Sequence, residues 1–450
     1  MIFFVFLGNP KSGDVMQNSL WASNAELPRF PKLKKDIKTD VLIVGGGLAG
    51  LLCAYRLDRA GVEYVLIEAD RICRGVTRNT TAKITSQHGF LYDKLIREFG
   101  PETARAYWEA NEAALGEYRK LAESIECDFE TKDNYIYSED PEALEKEMAA
   151  LYRLGIPAEF VNPVNLPVCA SGAIRFRNQA QFHPLKFAAA ISEGLNIYEE
   201  TKAKEFIGNT VVTEGGRITA SKIIMATHFP IINKHGAYIL KMYQQRSYVL
   251  ALEGAENVDG MYLGAEKDGL SFRSQGSWLL LGGGSHRTGK PSRAWEPLEA
   301  FAKAHYPDAE IRYRWATQDC MTLDGVPYIG RYSRRTPGLY VATGFNKWGM
   351  TSSMVSAMIL SDLVRGKGSV YASVFDPSRT ILRPQLLYNT VESAANLCKI
   401  SRPRCPHLGC ALHWNPHEHS WDCACHGSRF GENGELLDNP ATDGLGRNAT

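Results

Sequence analysis

The chain lacks an excess of either charge: 51 lysines and arginines stand against 50 aspartates and glutamates in 450 residues, for a net charge of +1. A basic surface built for nucleic acid or anionic lipid is therefore not expected. No apolar run approaches the ~20 residues of a membrane span, and there is neither an internal repeat nor a low-complexity stretch. The opening "MIFFVFLG" is apolar but has no basic n-region and no small-residue cleavage site, so no secretory signal is expected. An upstream start, with Met16 as the true one, accounts for it. A disulfide framework is missing too, since Cys53, Cys73, Cys127, Cys169, Cys320 and Cys398 are scattered, as in reduced, cytoplasmic proteins. With 44% hydrophobic residues the chain can bury a sizeable core, in two or three domains.

What is present begins with "TDVLIVGGGLAGLLCAYRLDRAGVEYVLIEAD", which reads as strand, glycine turn, helix, strand. Gly45, Gly47 and Gly50 give G-x-G-x-x-G, and Glu68 ends the second strand 18 residues after Gly50. In this dinucleotide pattern the first glycine permits the tight turn and the second lets the backbone approach a pyrophosphate. The third allows close helix–strand packing, and the acid accepts the ribose hydroxyls. After Glu68 the polar, threonine-rich "RICRGVTRNTTAKITSQHG" replaces the helix and strand with which a nicotinamide fold would continue. Far downstream come the strand "SKIIMATH" (221–228) and the segment 338–366. The latter reads as a strand, a turn at Gly344 and Gly349, and an amphipathic helix. A helix N-terminus facing a flavin there would favour its reduced, anionic form. These features point to FAD, with Thr80 and Thr81 as further contacts.

The glycine loop, Glu68, "DGVPYIG" (324–330) and "ATGFNKWGMT" (342–351) resemble the glycine oxidase and D-amino-acid oxidase family over roughly residues 37–376. The resemblance implies an α/β fold: a discontinuous FAD-binding Rossmann-like domain (about 37–92, 180–230 and 319–376) with an inserted antiparallel β-sheet substrate domain. It also makes Met350 and Thr351 flavin contacts. The residues agree where they speak, since "RSYVLALEG", "GMYLGAE", "GLSFRS" and "SWLLLGGGS" read as consecutive antiparallel strands. Residues 101–154 read as helical, and residues 1–36 as an N-terminal extension.

Near the end stands "CPHLGCALHWNPHEHSWDCACHGSRF", with four cysteines and five histidines in 26 positions. Cys405 and His407 form one short loop, Cys423 and His426 another. Two such loops suit a structural zinc site, a disulfide-stapled hairpin, or a Rieske 2Fe-2S cluster, in which two cysteines hold one iron and two histidines the other. "CPHLGC" and "CACHGS" closely resemble the paired loops of Rieske proteins. That resemblance implies Cys405, His407, Cys423 and His426 as ligands, Cys410 and Cys425 as a disulfide, and Ser428 as a hydrogen-bond donor to a bridging sulfide. His413, His417 and His419 lie outside both loops and are expected to be packed or solvated. A linker is expected over 377–395 and a small all-β Rieske domain over 396–450. With Cys405 only 28 positions after Pro377, and "NTVESAANLCKISRPR" only weakly strand-like, roughly forty residues of base strands are missing.

The whole architecture resembles bacterial FAD and Rieske oxidoreductases. It implies that a small organic substrate gives a hydride to FAD and that single electrons leave through the cluster to an external acceptor. The alternative makes the Rieske-like segment a degenerate binding or regulatory module beside a self-sufficient FAD oxidase. A Rieske oxygenase would need a two-histidine, one-carboxylate iron site, for which no helical motif is present. Glycine oxidase relatives carry a carboxylate-clamping arginine five residues before the aspartate of "DG-x-P-Y-I-G"; here that position is Asp319. An amine without a carboxylate is the substrate this suggests, unless Asp319 turns away and Arg312 or Arg314 serves as the clamp. Cys320, His88, Lys83 and His286 fall near the flavin or substrate by position, and packing roles are expected for most of them. The two cofactor sites are expected to be built from separate chain segments.

Overall fold

The computed structural model describes residues 15–232, 234–400 and 403–446. "MIFFVFLG" lies outside them. The apolar run Val41–Val44 forms the buried end of the strand Ile37–Val44, at the centre of an eight-stranded sheet. Parallel neighbours are Arg217–Met225 on one side and Tyr64–Ile67 on the other. Beyond them lie Leu339–Thr343, the antiparallel edge Tyr328–Arg331, and Ile197–Tyr198. Strands far apart in sequence thus form one Rossmann-like layer, as a discontinuous domain requires.

The helix Leu48–Arg59 leaves the glycine turn and packs against the helix Gly349–Val364. The latter is buried on nearly every face instead of being amphipathic. It lies between Leu48–Arg59 and the helix Pro101–Ala122, whose Tyr118 hydroxyl donates to the Met350 carbonyl at 2.8 Å. These neighbours leave it only a narrow, partly exposed strip at Met358, Asp362 and Leu363.

A nine-stranded second sheet holds the four expected strands as Met242–Glu253, Met261–Gly264, Ser271–Gln275 and Trp278–Arg287. Its pairings are antiparallel except that Met261–Gly264 runs parallel to Glu130–Ser138. That last strand interrupts residues 101–154, which are helical only at Pro101–Ala122 and Pro141–Leu154. It is drawn into the sheet by pairing with Gly172–Gln181, a partner that local pattern does not reveal. The N-terminal extension joins the fold as well: Met16 bonds both Arg312 and Arg314 through the backbone, and buried Trp21 donates to the Thr80 carbonyl at 2.7 Å.

At the C-terminal end the strands Leu412–Asn415, Ser420–Cys423, Arg429–Gly431 and Leu436–Asp438 form an antiparallel sheet. Before it, Pro384–Cys398 is a helix, occupying most of the expected linker and the stretch read as weakly strand-like. Its inward face is polar, which hides the helical period. Buried Asn389 accepts from Arg287 at 2.8 Å, and buried Asn396 bonds His413 at 2.9 Å. The sheet rests on the substrate sheet where a larger domain would have base strands of its own. Arg287 donates to the carbonyls of Ala424 and Cys425, and Gln318 to that of Gly427.

Candidate functional site

One cavity of about 560 Å³ opens at the carboxyl ends of the central strands, where ligands of open α/β sheets bind. Gly45, Gly47, Glu68, Thr80, Thr81, Gly344, Gly349 and Met350 all line it. Gly45 adopts φ +112°, and a Cβ there would meet the Ala226 carbonyl oxygen at 2.5 Å. A Cβ at Gly47, at the N-terminus of the helix Leu48–Arg59, would meet only Thr77 Oγ1, at 3.5 Å. The Glu68 carboxylate accepts from Gly46 and Asp70 N–H groups and sits on the rim. Gly50 lies behind the turn as a packing residue. Thr351 turns away from the cavity; its buried hydroxyl meets His88 Nε2 at 3.2 Å and the Thr85 carbonyl.

The substrate sheet supplies the opposite wall. Asp319, on the strand Glu310–Thr322, lines the cavity with Thr317, Ser285 and His228. Burial pushes its carboxyl upward, and the charges of Lys347, His228 and Arg246 act against that shift. Lys347 was not singled out by sequence; it stands in the cavity at φ +72°, donates to Ser285 Oγ, and is held below the usual lysine range by burial. Two consecutive left-handed residues, Asn346 and Lys347, place it there. Arg312 and Arg314 are not on the cavity; they pair with Glu253 and Glu310, and with Glu299.

Lys83 does line the cavity, donating to the Tyr262 carbonyl at 2.6 Å and to Ser271 Oγ, and burial lowers it to about 7. His88 stacks behind the cavity-lining Trp348, its Nδ1 2.6 Å from the Tyr107 hydroxyl, and burial lowers it to about 3. Cys320 is a buried free thiol. His286 stacks on Tyr248, off the cavity wall.

In the C-terminal domain, Cys405 and Cys423 are both buried. The rings of His407 and His426 lie 5.0 Å apart at 88°. Cys410 and Cys425 are joined as a disulfide beside them. The Sγ atoms of Cys410, Cys423 and Cys425 lie close enough to hold an ion, but two of those three are spent in the disulfide. Two thiols and two imidazoles remain. Burial holds His407 near 4 and His426 near 3, which keeps both rings neutral, as metal ligands must be. His426 Nδ1 is buried without a hydrogen-bond partner, an orphan that a metal would satisfy. This donor set fits an iron–sulfur cluster.

Residues 40–363 match the DAO family, FAD dependent oxidoreductase, and residues 364–447 match the Rieske [2Fe-2S] domain. The chain belongs to the DAO family of FAD-dependent oxidoreductases. It is an oxidoreductase that uses FAD and carries a C-terminal Rieske domain for a 2Fe-2S cluster. It is 37% identical to YhfW of Bacillus subtilis (strain 168), named for a Rieske 2Fe-2S iron-sulfur protein, across 94% of this chain and 95% of that one. Gamma-glutamylputrescine oxidoreductase of Escherichia coli (strain K12) is 23% identical over 78% of this chain and 89% of its own length. The crystal structure of glycine oxidase from Geobacillus kaustophilus superposes with a TM-score of 0.64 at 20% identity, covering 76% of this chain and 99% of that one. The flavoprotein part is thus related to amine and amino-acid oxidases and shares the fold of glycine oxidase. No helix among the described residues is long and apolar enough to cross a membrane.

The sequence pattern did not reveal that residues 436–442 of the Rieske domain also border the flavin-module cavity: Leu436, Leu437, Asp438, Asn439, Ala441 and Thr442 line it. Segments of both domains therefore meet at this cavity. Docking of one domain on the other, not local pattern, creates this wall.

Proposed function

We propose that this DAO-family enzyme oxidises a small amine at FAD and passes the electrons by way of its Rieske centre to an acceptor outside the chain. One placement carries the relay. The buried ring of His426 meets Phe229 edge-on at 6.3 Å, and Phe229 directly follows Thr227 and His228 on the cavity wall. His407 is half-buried.

Bound FAD supplies a two-electron acceptor and the cluster a one-electron carrier. In this reading the Gly45–Gly47 turn and the helix N-terminus hold the pyrophosphate, and Glu68 the ribose. Thr80, Thr81, Gly344, Gly349 and Met350 complete the flavin wall. Cys405, Cys423, His407 and His426 hold the cluster. Asp319 orients the substrate ammonium by charge and hydrogen bonding, and Lys347 balances its charge. The relationship to gamma-glutamylputrescine oxidoreductase supports an amine substrate.

Anaerobic titration, with flavin and cluster bands followed separately, tests this. Primary and secondary amines should bleach the flavin and then the cluster in one-electron steps, while NADH leaves both oxidised. Rapid bleaching by NADH, or a cluster that stays oxidised beside reduced flavin, would overturn it.

A further inference from the structure

Residues 436–442 are held as a wall of the flavin-module cavity. The Asn439 side-chain amide donates to the Thr227 carbonyl and, at 2.8 Å, to the Phe229 carbonyl. The Asn439 backbone carbonyl accepts from the Gln244 side-chain amide at 3.0 Å. Lys202 Nζ donates to the Thr442 carbonyl and lies 3.1 Å from an Asp443 oxygen. Thr227 and Lys202 themselves line the cavity, as Gly45, Gly47 and Glu68 do. On its other side the segment is tied to the cluster loop. The Ala441 N–H donates to Ser428 Oγ at 2.9 Å, and the Cys423 N–H donates to the Ser428 carbonyl at 2.9 Å. Ser428 is wholly buried, so no water competes for either bond.

We infer that the Rieske segment 436–442 is part of the FAD-binding site, with Asn439 as its anchor, and that Ser428 couples cluster loading to FAD retention. The inference rests on the two cofactors of the family and not on the proposed electron relay, which could fail without touching it. A cofactor lying in this cavity is enclosed by the Glu68 side of the sheet and by residues 436–442. Its release is faster when the Rieske sheet lifts or the segment frays. Loading the cluster orders the Cys423–Ser428 loop, and Ser428 then fixes Ala441. By linkage, FAD must in turn favour the docked segment and the cluster-competent loop to the same extent. Ligation and flavin binding thereby share one structural element, although their ligands lie in different domains.

The test measures FAD release from the full-length holoprotein by the rise of free-flavin fluorescence after dilution. Three samples are compared: the wild type, the wild type with its cluster removed by chelation, and Asn439→Ala. Release should accelerate about tenfold in the last two, within the roughly 5- to 150-fold range of typical coupling, while far-UV circular dichroism stays unchanged. Release within twofold of the holoprotein in both overturns the inference. Should Asn439→Ala not fold, hydrogen exchange on the wild type decides. Amides of residues 436–446 should exchange about tenfold faster in FAD-depleted than in FAD-loaded protein. Equal protection in the two states overturns the inference as well.

Discussion

Glu418 and Arg246 form an ion pair across the seam between the Rieske sheet and the substrate sheet, with Arg246 Nε 3.2 Å from Glu418 Oε1. Arg429 donates to the same carboxylate at 2.9 Å, and the Tyr248 hydroxyl at 3.2 Å. Burial alone would push Glu418 upward, but Arg246 and Arg429 outweigh it and hold the carboxyl at about 2. Its folded value lies below the ordinary 4.5, so the stabilisation is complete above about pH 4.5 and is lost as pH falls toward 2. The Rieske domain should therefore undock in that acid window, seen as exposure of the seam to limited proteolysis. Glu418→Gln should destabilise docking at neutral pH by roughly 1.5–3 kcal/mol, because buried Arg246 loses its charge-assisted bond and keeps only Asp438, at 3.8 Å, while Arg429 retains Asp422 and Asp438. A thermal unfolding profile unchanged by this substitution would contradict the assignment.

Asp319 faces the cavity, and neither Arg312 nor Arg314 lines it. Glycine, sarcosine and D-alanine should reduce the flavin slowly, and amines lacking a carboxylate faster. Asp319→Asn should slow reduction by amines about 10- to 100-fold, as expected from losing a charge-assisted contact of 1.5–3 kcal/mol. Stopped-flow reduction rates decide. Fast reduction by any of the three amino acids would remove the basis for an amine preference.

Gly47 and Gly50 should fail differently. A Cβ at Gly47 comes no closer than 3.5 Å, to Thr77 Oγ1, whereas one at Gly50 would sit 2.0 Å from the Gly45 carbonyl oxygen. Gly47→Glu should fold but purify without FAD, since a carboxylate would occupy the approach of the pyrophosphate. Gly50→Ala should lower thermal stability, because the helix must move off the strand. A yellow Gly47→Glu protein with stoichiometric flavin would refute the first expectation.

Phe430, fully buried in the core around Cys405 and Cys423, offers no donor to a cluster sulfur. The midpoint potential should thus lie below the upper end of the roughly −150 to +300 mV Rieske span. Phe430→Tyr should raise it, because a hydrogen bond to sulfur stabilises the reduced, more negative state. Redox titration followed by electron paramagnetic resonance reads this directly; a midpoint unchanged or lowered in a folded variant would tell against it.

Legibility followed the reach of each signal. Gly45, Gly47, Gly50 and Glu68 act through local backbone geometry, so their spacing carried the turn, the helix start and the strand end. The Cys405–His407 and Cys423–His426 loops were equally legible, since ligand chemistry demands those residue types close together. The helix Pro384–Cys398 was not, because asparagines on its inward face erase the apolar period. Glu130–Ser138 was read as helix because its partner strand starts more than thirty residues later, at Gly172.

By itself, then, the sequence determined both cofactor chemistries and the α/β class, through short motifs whose physics is complete within a few residues. Only the tertiary structure decided what those motifs face. It brought Asp319 and Lys347 to one cavity, set His426 against Phe229, and laid residues 436–442 beside the glycine turn nearly 400 positions earlier. Such meetings depend on sheet pairing and domain docking. Those are settled by total burial and by partners such as Arg246 and Glu418, whose attraction leaves no periodic mark along the chain.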